Sequence, residues 1–247
     1  MLWNQYVFGP IHSRRHGRSL GINLLPLEQR TCNFHCPYCE IHDTHAKRRH
    51  WPTVAEVESQ LRAAIEKGDR IDTITLAGNG EPTLHPEFPL MVAKLSQVRK
   101  EANLEAPIVL LTNGTRLHQT ATRYAVSRYV SETVIKVDAV EYAVAAAING
   151  LKSPAVFKLG LQSPLLMRRA GIPTSTQTLF CSYQGVSNDN EEHLKKWLLY
   201  LEAVRPEKVY IYSIARTPEF QAEPVSRLRL KQIADRVRKL GLTCSVA

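Results

Sequence analysis

The sequence has few features of an exported or membrane-bound protein. None of its apolar runs approaches the ~20 residues that a helix needs to cross a bilayer. The N-terminal residues MLWNQYVFGPIHSRR lack a charged start followed by a long apolar segment, so they do not predict a signal peptide. Low-complexity linkers are missing as well. We therefore expect a cytoplasmic protein, without a membrane partner, that forms a single domain over residues 1–247.

Acidic residues are fewer than basic ones. The chain has 23 Asp and Glu against 32 Lys and Arg, which gives a net charge of +9. Such an excess favours anionic partners, nucleic acid among them, and bears on association rather than on fold. Two basic runs are present, one of Arg14, Arg15, His16 and Arg18, the other of Lys47, Arg48, Arg49 and His50. They indicate either a phosphate-binding rim or a solvated surface, and the sequence leaves both open.

Short runs rich in Val, Ile and Leu alternate with longer amphipathic stretches. The predicted strands are 21–25, 71–77, 108–111, 134–137, 178–182 and 208–214, with a further short strand near the C-terminus. The predicted helices are 53–67, 87–101, 118–128, one or two within 140–169, then 190–204 and 225–240. This alternation predicts a parallel sheet with helical crossovers. Six such units predict an α/β fold, a partial (β/α)6 TIM-like barrel, rather than the full eight-fold barrel.

Cysteine is scarce: Cys181 and Cys244 stand alone, whereas Cys32, Cys36 and Cys39 lie close together. This C-x3-C-x2-C spacing falls in a predicted loop of about residues 30–50, here named the cysteine segment. Thiolates are soft ligands that favour iron–sulfur clusters or zinc. Three cysteines leave one iron of a four-iron cluster without a protein ligand, and a small chelating molecule can bind there. The alternative is structural zinc, with a fourth ligand from among His35, His42, His45 and His50.

A glycine-rich turn follows the second predicted strand, with the sequence Gly78-Asn-Gly80-Glu81-Pro82-Thr. The two glycines allow the backbone to turn sharply and to approach a ligand closely, and Pro82 stiffens the exit. A plain strand-to-helix turn needs glycine and proline but no carboxylate between them. Glu81 therefore leaves a structural and a functional interpretation open.

Polar residues also stand near the carboxyl ends of the later predicted strands, which line the active site in a barrel of this type. They are Thr112 and Asn113, Lys136 and Asp138, Gln177 and Ser182, and Tyr212, Ser213 and Arg216. Lys136 and Asp138 are two residues apart, so both side chains can point to one face of the strand. Inside an apolar barrel they need either each other, as a buried ion pair, or a ligand, and both interpretations stay open.

The cysteine motif, with the aromatic Tyr38 directly before the third cysteine, resembles that of the radical S-adenosylmethionine (SAM) superfamily. The resemblance implies that Cys32, Cys36 and Cys39 are the catalytic metal ligands of a 4Fe–4S cluster. It also implies that the amino and carboxylate groups of SAM chelate the fourth iron, and that the glycine turn contacts the methionine amino group. The residues predicted to bind SAM are Tyr38, Gly78, Gly80, Glu81, Pro82, Thr112, Asn113, Lys136, Asp138 and Tyr212.

Four segments resemble one branch of this superfamily, the tRNA wyosine-base synthases and their uncharacterised bacterial relatives. The segments are 8–23, 78–86, 112–114 and 136–139, so the resemblance extends over nearly the whole chain. Wyosine-type synthases carry further cysteines before the radical motif, for a second cluster, whereas this chain has none before Cys32. The branch therefore predicts the fold and the cofactors, and not the substrate.

The predicted function is that of a radical SAM enzyme. A one-electron donor of the flavodoxin or ferredoxin type reduces the cluster, SAM is cleaved to methionine and a 5′-deoxyadenosyl radical, and this radical abstracts a hydrogen from the substrate. The branch and the positive charge predict RNA or a nucleotide as the substrate. Two alternatives remain: a protein- or peptide-modifying enzyme of the glycyl-radical-activator type, and a zinc-dependent nucleic-acid-binding module without turnover.

Overall fold

The computed structural model describes residues 2–41, 50–215 and 220–247. Its strands are β1 (Val7–Ser13), β2 (Gly17–Ile22), β3 (Thr73–Leu76), β4 (Ile108–Thr112), β5 (Glu132–Lys136), β6 (Ser175–Tyr183), β7 (Val186–Ser187), β8 (Val209–Ser213), β9 (Glu223–Pro224) and β10 (Cys244–Val246). Its helices are α1 (Val54–Glu66), α2 (Phe88–Glu101), α3 (Thr120–Tyr129), α4 (Tyr142–Ile148), α5 (Pro154–Arg169), α6 (Glu191–Val204) and α7 (Arg227–Lys239), with a short 3-10 helix at Pro82–Leu84. Within the described residues, no helix has the length and apolarity needed to span a membrane.

The chain divides into two compact units. The first comprises Met1–Cys32, Ile41–Thr112 and His118–Thr133, as far as these are described, and the second comprises Asn33–Glu40, Asn113–Leu117 and Val134–Ala247. The expectation of a single domain stays a prediction.

The first unit contains a sheet in the order β1-β2-β3-β4. Strands β1 and β2 form an antiparallel hairpin, with Ser13 opposite Gly17, and β3 and β4 follow in parallel. The first predicted strand, 21–25, is wrong in its position, because β2 ends at Ile22 and β1 was not predicted. The chain turns there because the Asn23 side chain donates to the Leu25 carbonyl (3.0 Å) and accepts from the Leu25 N–H (3.2 Å).

The second unit contains parallel strands in the order β5-β6-β8-β10, with β7 and β9 antiparallel to the end of β6. Lys136 at the end of β5 lies opposite Gln177 of β6. On one face of β6, the fully buried Trp197 of α6 packs edge-on against Phe180. Its indole N–H also donates to the Thr178 hydroxyl (3.2 Å), so this large apolar contact has a fixed orientation.

The amphipathic periods predicted the helices within a few residues. Helix α1 begins with the capping box that the sequence allows: the Thr53 hydroxyl accepts from the Glu56 N–H (3.3 Å), and the Glu56 carboxylate accepts from the Thr53 N–H (2.7 Å). It ends just before Gly68, which has a φ of 73°. Helix α7 begins after its N-cap Ser226. Leu230, Ile233 and Val237 form its buried face, whereas Leu228 is 68% exposed.

His85, between the 3-10 helix and α2, is buried in a way that holds its ring neutral. Its Nδ1 accepts from the Glu87 N–H (3.0 Å), so its Nε2 carries the proton and donates to the Pro52 carbonyl (3.0 Å). Burial lowers the pKa of His85 below its usual 6.5, although the Pro52 carbonyl and Glu87 act in the opposite direction. Protonation at Nδ1 would break the hydrogen bond from the Glu87 N–H. As the pH falls, the histidine of the unfolded chain therefore binds a proton at a higher pH than that of the folded chain.

We therefore expect the neutral His85 to contribute stability above pH 6.5 that is lost as the pH falls from 6.5 through the lower pKa of the folded state. An NMR titration of the apoprotein would show the His85 ring titrating below 6.5. Between pH 7 and pH 5, His85→Gln would lose less free energy of unfolding than the wild type. Burial also lowers the pKa of His193, so the measurement must use the NMR signals assigned to the His85 ring. A His85 ring that titrates at or above 6.5 would contradict this prediction.

Candidate functional site

The glycine turn in the first unit is bonded to the backbone just before Cys32. The Thr31 N–H donates to the Asn79 carbonyl (2.7 Å), and the Glu81 N–H donates to the Thr31 carbonyl (3.0 Å). These bonds form a parallel bridge between Thr31 and Gly80. The main chain that enters the cysteine segment is therefore held at the turn that follows β3.

Both glycines of the turn are required by close contacts. A Cβ on Gly80, whose φ is 144°, would lie 1.9 Å from the Thr31 carbonyl oxygen. A Cβ on Gly78 would lie 2.3 Å from Oδ1 of Asn23. The turn thus has the close backbone approach that the sequence predicted, but its neighbours here are other parts of the chain.

Asn79, between the two glycines, has a structural function that sequence reasoning missed. Its fully buried amide donates to the carbonyls of Trp3 (3.0 Å) and Pro26 (3.1 Å) and accepts from the Trp3 N–H (2.8 Å). The sequence could not predict these hydrogen bonds, because Trp3 and Pro26 lie more than fifty residues away along the chain. The amide links the N-terminal segment to the turn.

Glu81 is a buried carboxylate with two threonine partners. It is 3% exposed, and its Oε1 accepts from the Thr83 N–H (3.1 Å), the Thr83 hydroxyl (2.5 Å) and the Thr112 hydroxyl (2.6 Å). Pro82 follows as the first residue of the 3-10 helix that Glu81 caps. Thr112, which was predicted to bind the cofactor, donates its hydroxyl hydrogen to Glu81, and its own contact with the cofactor stays a prediction. These bonds fix one oxygen of Glu81 in place.

In the second unit, residues 33–40 of the cysteine segment contain a tight turn. The Cys39 N–H donates to the Cys36 carbonyl (3.0 Å), and Cys36 is buried whereas Cys39 is partly exposed. Burial raises the pKa of the Cys36 thiol to about 11. Asn113 donates to Oδ1 of Asn33 (2.7 Å) and therefore fixes the start of this part of the segment.

Lys136 and Asp138 form the buried ion pair that their spacing allowed. Nζ of Lys136 lies 3.3 Å from Oδ2 of Asp138 and donates to the Tyr212 hydroxyl (3.2 Å). The ammonium also lies over two rings, 5.1 Å from the centroid of Tyr38 and 5.6 Å from that of Tyr212. Burial would lower the pKa of Lys136, but Asp138 and Tyr212 outweigh it and raise that pKa, so the side chain carries a positive charge.

Asp138 is the centre of this polar network. Its side chain is fully buried, its Oδ1 accepts from the Leu179 N–H (2.8 Å), and its Oδ2 accepts from the Tyr38 hydroxyl. Burial and then the charge of Asp138 raise the pKa of Tyr38 well above its usual value, so the phenol keeps its proton. The structure thus joins Tyr38 and Tyr212 to the predicted pair of Lys136 and Asp138 in one connected network. Of the two interpretations left open by the sequence, the buried ion pair is the one present in the structure.

Asn149 was missed by the sequence analysis. It caps the C-terminal end of α4, and its side-chain N–H2 group reaches Oδ2 of Asp138 (2.7 Å), the Tyr38 hydroxyl (3.0 Å) and Sγ of Cys36 (3.5 Å). Its only signal in the sequence is the Asn-Gly pair at 149–150, which marks a turn and no chemistry.

Other predicted residues lie elsewhere or cannot be placed. Ser182 donates to Glu223 (3.1 Å) and Ser213 to the Phe180 carbonyl (2.7 Å). His50 pairs with Glu56 (2.9 Å). His42, His45, Lys47, Arg48, Arg49 and Arg216 lie outside the described residues. Over the ranges 2–41, 50–215 and 220–247, no group of three His, Cys, Asp or Glu side chains is arranged to hold a single metal ion.

The donor chemistry of the cysteine segment fits an iron–sulfur cluster. Cys32, Cys36 and Cys39 are all free of disulfide bonds. In a 4Fe–4S cluster each thiolate binds a different iron, so the sulfurs need not converge on one point as they must around zinc. Three closely spaced thiolates are soft ligands and favour an iron–sulfur cluster or another soft-metal site.

Residues 29–201 match the family model "Radical SAM superfamily". This is more than half of the chain, so the protein belongs to the radical SAM superfamily, as the cysteine motif predicted. Enzymes of this superfamily use SAM and a 4Fe–4S cluster, and they generally need an electron donor.

Curated relatives are similar over parts of their length. A UPF0026 protein of Methanocaldococcus jannaschii is 27% identical over 220 residues, which cover 86% of this chain and 64% of that protein. A GTPase Obg of Brachyspira hyodysenteriae is 33% identical over 120 residues, covering 47% of this chain and 17% of that protein. The chain thus spans less than two thirds of either relative.

Solved structures show the fold. A radical SAM methyltransferase from Sphaerobacter thermophilus aligns with a TM-score of 0.68 at 17% identity, covering 93% of this chain and 65% of that one. TYW1, a wyosine synthase, with a lysine–pyruvate adduct bound, aligns with a TM-score of 0.65 at 13% identity, covering 90% and 73%. The predicted α/β fold of the partial TIM-like barrel type is confirmed.

Proposed function

We propose that Cys32, Cys36 and Cys39 hold a 4Fe–4S cluster with one open iron, and that the enzyme uses it to cleave SAM reductively. The C-x3-C-x2-C spacing of three cysteines outside any disulfide is the observation that carries the proposal. When bound, the cofactors supply the reductive cleavage of SAM to methionine and a 5′-deoxyadenosyl radical, which abstracts hydrogen from the substrate. The protein binds, orients and shields the reacting groups.

The glycine turn is proposed to bind the methionine amino group of SAM. Glu81 supplies the negative charge that an ammonium group needs, and the Thr83 and Thr112 hydroxyls hold its Oε1 at 2.5 and 2.6 Å. A carboxylate fixed in this way needs little rearrangement when a ligand binds, so the loss of conformational entropy on binding is small. The small residues Gly78 and Gly80 and the stiff Pro82 place it at the end of β3.

The network around Asp138 is proposed to bind the rest of SAM or the substrate. Lys136 offers a positive charge to a carboxylate or phosphate, and Asp138 and Tyr212 can accept or donate to hydroxyl groups such as those of a ribose. Tyr38 joins this network directly to the cysteine segment. Asn113 acts on the same segment through its bond to Asn33.

The substrate is proposed to be RNA or a nucleotide, turned over in the cytoplasm with electrons from a flavodoxin- or ferredoxin-type donor. The net charge of +9 supports an anionic substrate. Binding of tRNA is then expected to weaken steeply as salt is raised. Failure to bind tRNA at low salt would remove RNA from consideration and leave a protein or peptide as the substrate to be tested.

The cofactor proposal is tested by anaerobic reconstitution. The protein is loaded with iron and sulfide, given dithionite and SAM, and assayed for 5′-deoxyadenosine. We expect a brown protein that contains iron and sulfide and forms 5′-deoxyadenosine only when both SAM and reductant are present. A colourless protein that binds zinc and cleaves no SAM would overturn the proposal in favour of a structural metal site.

A further inference from the structure

Asn149 holds the cysteine segment by its main chain as well as by its side chain. Its carbonyl accepts from the His35 N–H (2.9 Å), one residue before Cys36. The next residue, Gly150, has a φ of 58°, and a Cβ there would lie 2.2 Å from the His35 carbonyl oxygen. The end of α4 therefore lies directly against the backbone of the segment.

The side chain of Asn149 has more acceptors than hydrogens. A carboxamide N–H2 group carries two hydrogens, and three acceptors are in reach, on Asp138 (2.7 Å), Tyr38 (3.0 Å) and Cys36 (3.5 Å). Tyr38 uses its own hydrogen on Asp138. The two hydrogens of Asn149 are thus divided according to how strongly each acceptor attracts them, and a neutral thiol is the weakest of the three.

Binding of a metal changes this ranking, because a ligating cysteine is a thiolate. A charged acceptor forms a stronger hydrogen bond than a neutral one, so the Cys36 sulfur then competes well with the Tyr38 oxygen. Hydrogen bonds to the sulfurs are among the factors that set the reduction potential of an iron–sulfur cluster. An N–H donor stabilises the reduced form most, since that form carries the greater negative charge.

We propose that Asn149 is a positioning residue that donates a hydrogen bond to the sulfur of Cys36 and thereby raises the reduction potential of the cluster. This inference rests on the proposed function, since it requires Cys36 to be a cluster ligand. The same amide group bonds to Asp138, which pairs with Lys136. One side chain therefore joins the cluster ligand to the groups proposed to bind SAM or the substrate.

The test is a redox titration of the reconstituted cluster, followed by electron paramagnetic resonance. Asn149→Leu keeps the approximate size of the side chain and removes the donor. This variant is expected to shift the midpoint potential to a more negative value than that of the wild type. A midpoint that stays at the wild-type value in a variant that binds a full cluster would overturn the inference.

Asn188 offers a matched control in the same unit. It is an equally buried asparagine, whose N–H2 group donates to the carbonyls of Asp138 (2.9 Å) and Leu179 (2.8 Å) and whose Oδ1 accepts from the Cys181 N–H (2.9 Å). Asn188→Leu is expected to lower stability without shifting the potential. An equal shift in this control would mean that loss of packing, and not the bond to sulfur, changes the cluster.

A measurement on the wild type keeps the inference testable even where the variants fail to fold. Exchange into deuterated water is expected to shift the Fe–S(Cys) stretching bands in resonance Raman spectra, because the amide hydrogens exchange. Bands that do not move would contradict a hydrogen bond to the sulfur. A wild-type protein that binds no iron–sulfur cluster is a different result: it overturns the proposed function, and with it the premise of this inference.

Discussion

Cys36→Ala is expected to abolish the formation of 5′-deoxyadenosine. Loss of residues that only orient metal ligands typically lowers metal affinity or activity by about 10–100-fold, so loss of a ligand itself is expected to exceed about 100-fold. Two thiolates would remain to hold four irons, and the site would lose its fixed open position. The measurement is 5′-deoxyadenosine formed per protein, together with iron and sulfide content. The same result is expected for Cys32→Ala and Cys39→Ala.

The two other cysteines supply the control for thiol removal. Cys244→Ala and Cys181→Ala make the same chemical change away from the cysteine segment, and both are expected to retain the cluster and the activity. Cys181 is fully buried, so Cys181→Ala also measures how far a cavity in the core lowers the free energy of unfolding. Wild-type amounts of 5′-deoxyadenosine from Cys36→Ala would show that this residue is no ligand and would refute the assignment of the motif.

Gly80→Ala is expected to disrupt the glycine turn strongly. The added Cβ would lie 1.9 Å from the Thr31 carbonyl oxygen, and the φ of 144° is unfavourable for any side chain. The backbone must move, and Glu81 moves with it. We expect the free energy of unfolding to fall by about 1–3 kcal/mol more than for a strained but open glycine position. We also expect SAM binding to weaken at least about tenfold.

Gly68→Ala is the matched comparison for the glycine turn. Gly68 has a φ of 73°, and its added Cβ would meet nothing within 4 Å, so this variant carries the backbone strain without the collision. Urea unfolding and calorimetric titration of SAM into the reconstituted enzyme separate the two effects. If both variants lose the same stability and bind SAM equally, the close approach of Gly80 to Thr31 has no part in cofactor binding.

The sequence predicted best the features that are encoded over short distances. The helices were found because their apolar residues recur at helical spacing. The pairing of Lys136 with Asp138 was available from a separation of two residues in a strand. The C-x3-C-x2-C spacing and the glycine turn were likewise local, and they led to the correct superfamily.

The features that were missed depend on contacts between distant parts of the chain. Asn149 is 113 residues from Cys36, and nothing in its neighbourhood marks it except a turn signal. The hydrogen bond from the Thr112 hydroxyl to Glu81 joins residues 31 positions apart, and only the folded chain reveals it. The β1–β2 hairpin was not predicted, because Gly9, Pro10 and the polar residues His12 and Ser13 interrupt the apolar alternation that marks a strand.

The buried amide of Asn79 has a practical consequence for handling the protein. Trp3, close to the N-terminus, exchanges two hydrogen bonds with this side chain, at 2.8 and 3.0 Å, and the ring of Trp3 stacks on Phe8. Replacing Trp3 with Ala therefore disturbs the packing of a segment that is bonded to the glycine turn, although the two lie 76 residues apart along the chain. Any variant that alters the residues around Trp3 should be checked for its effect on SAM binding before kinetic comparisons are made.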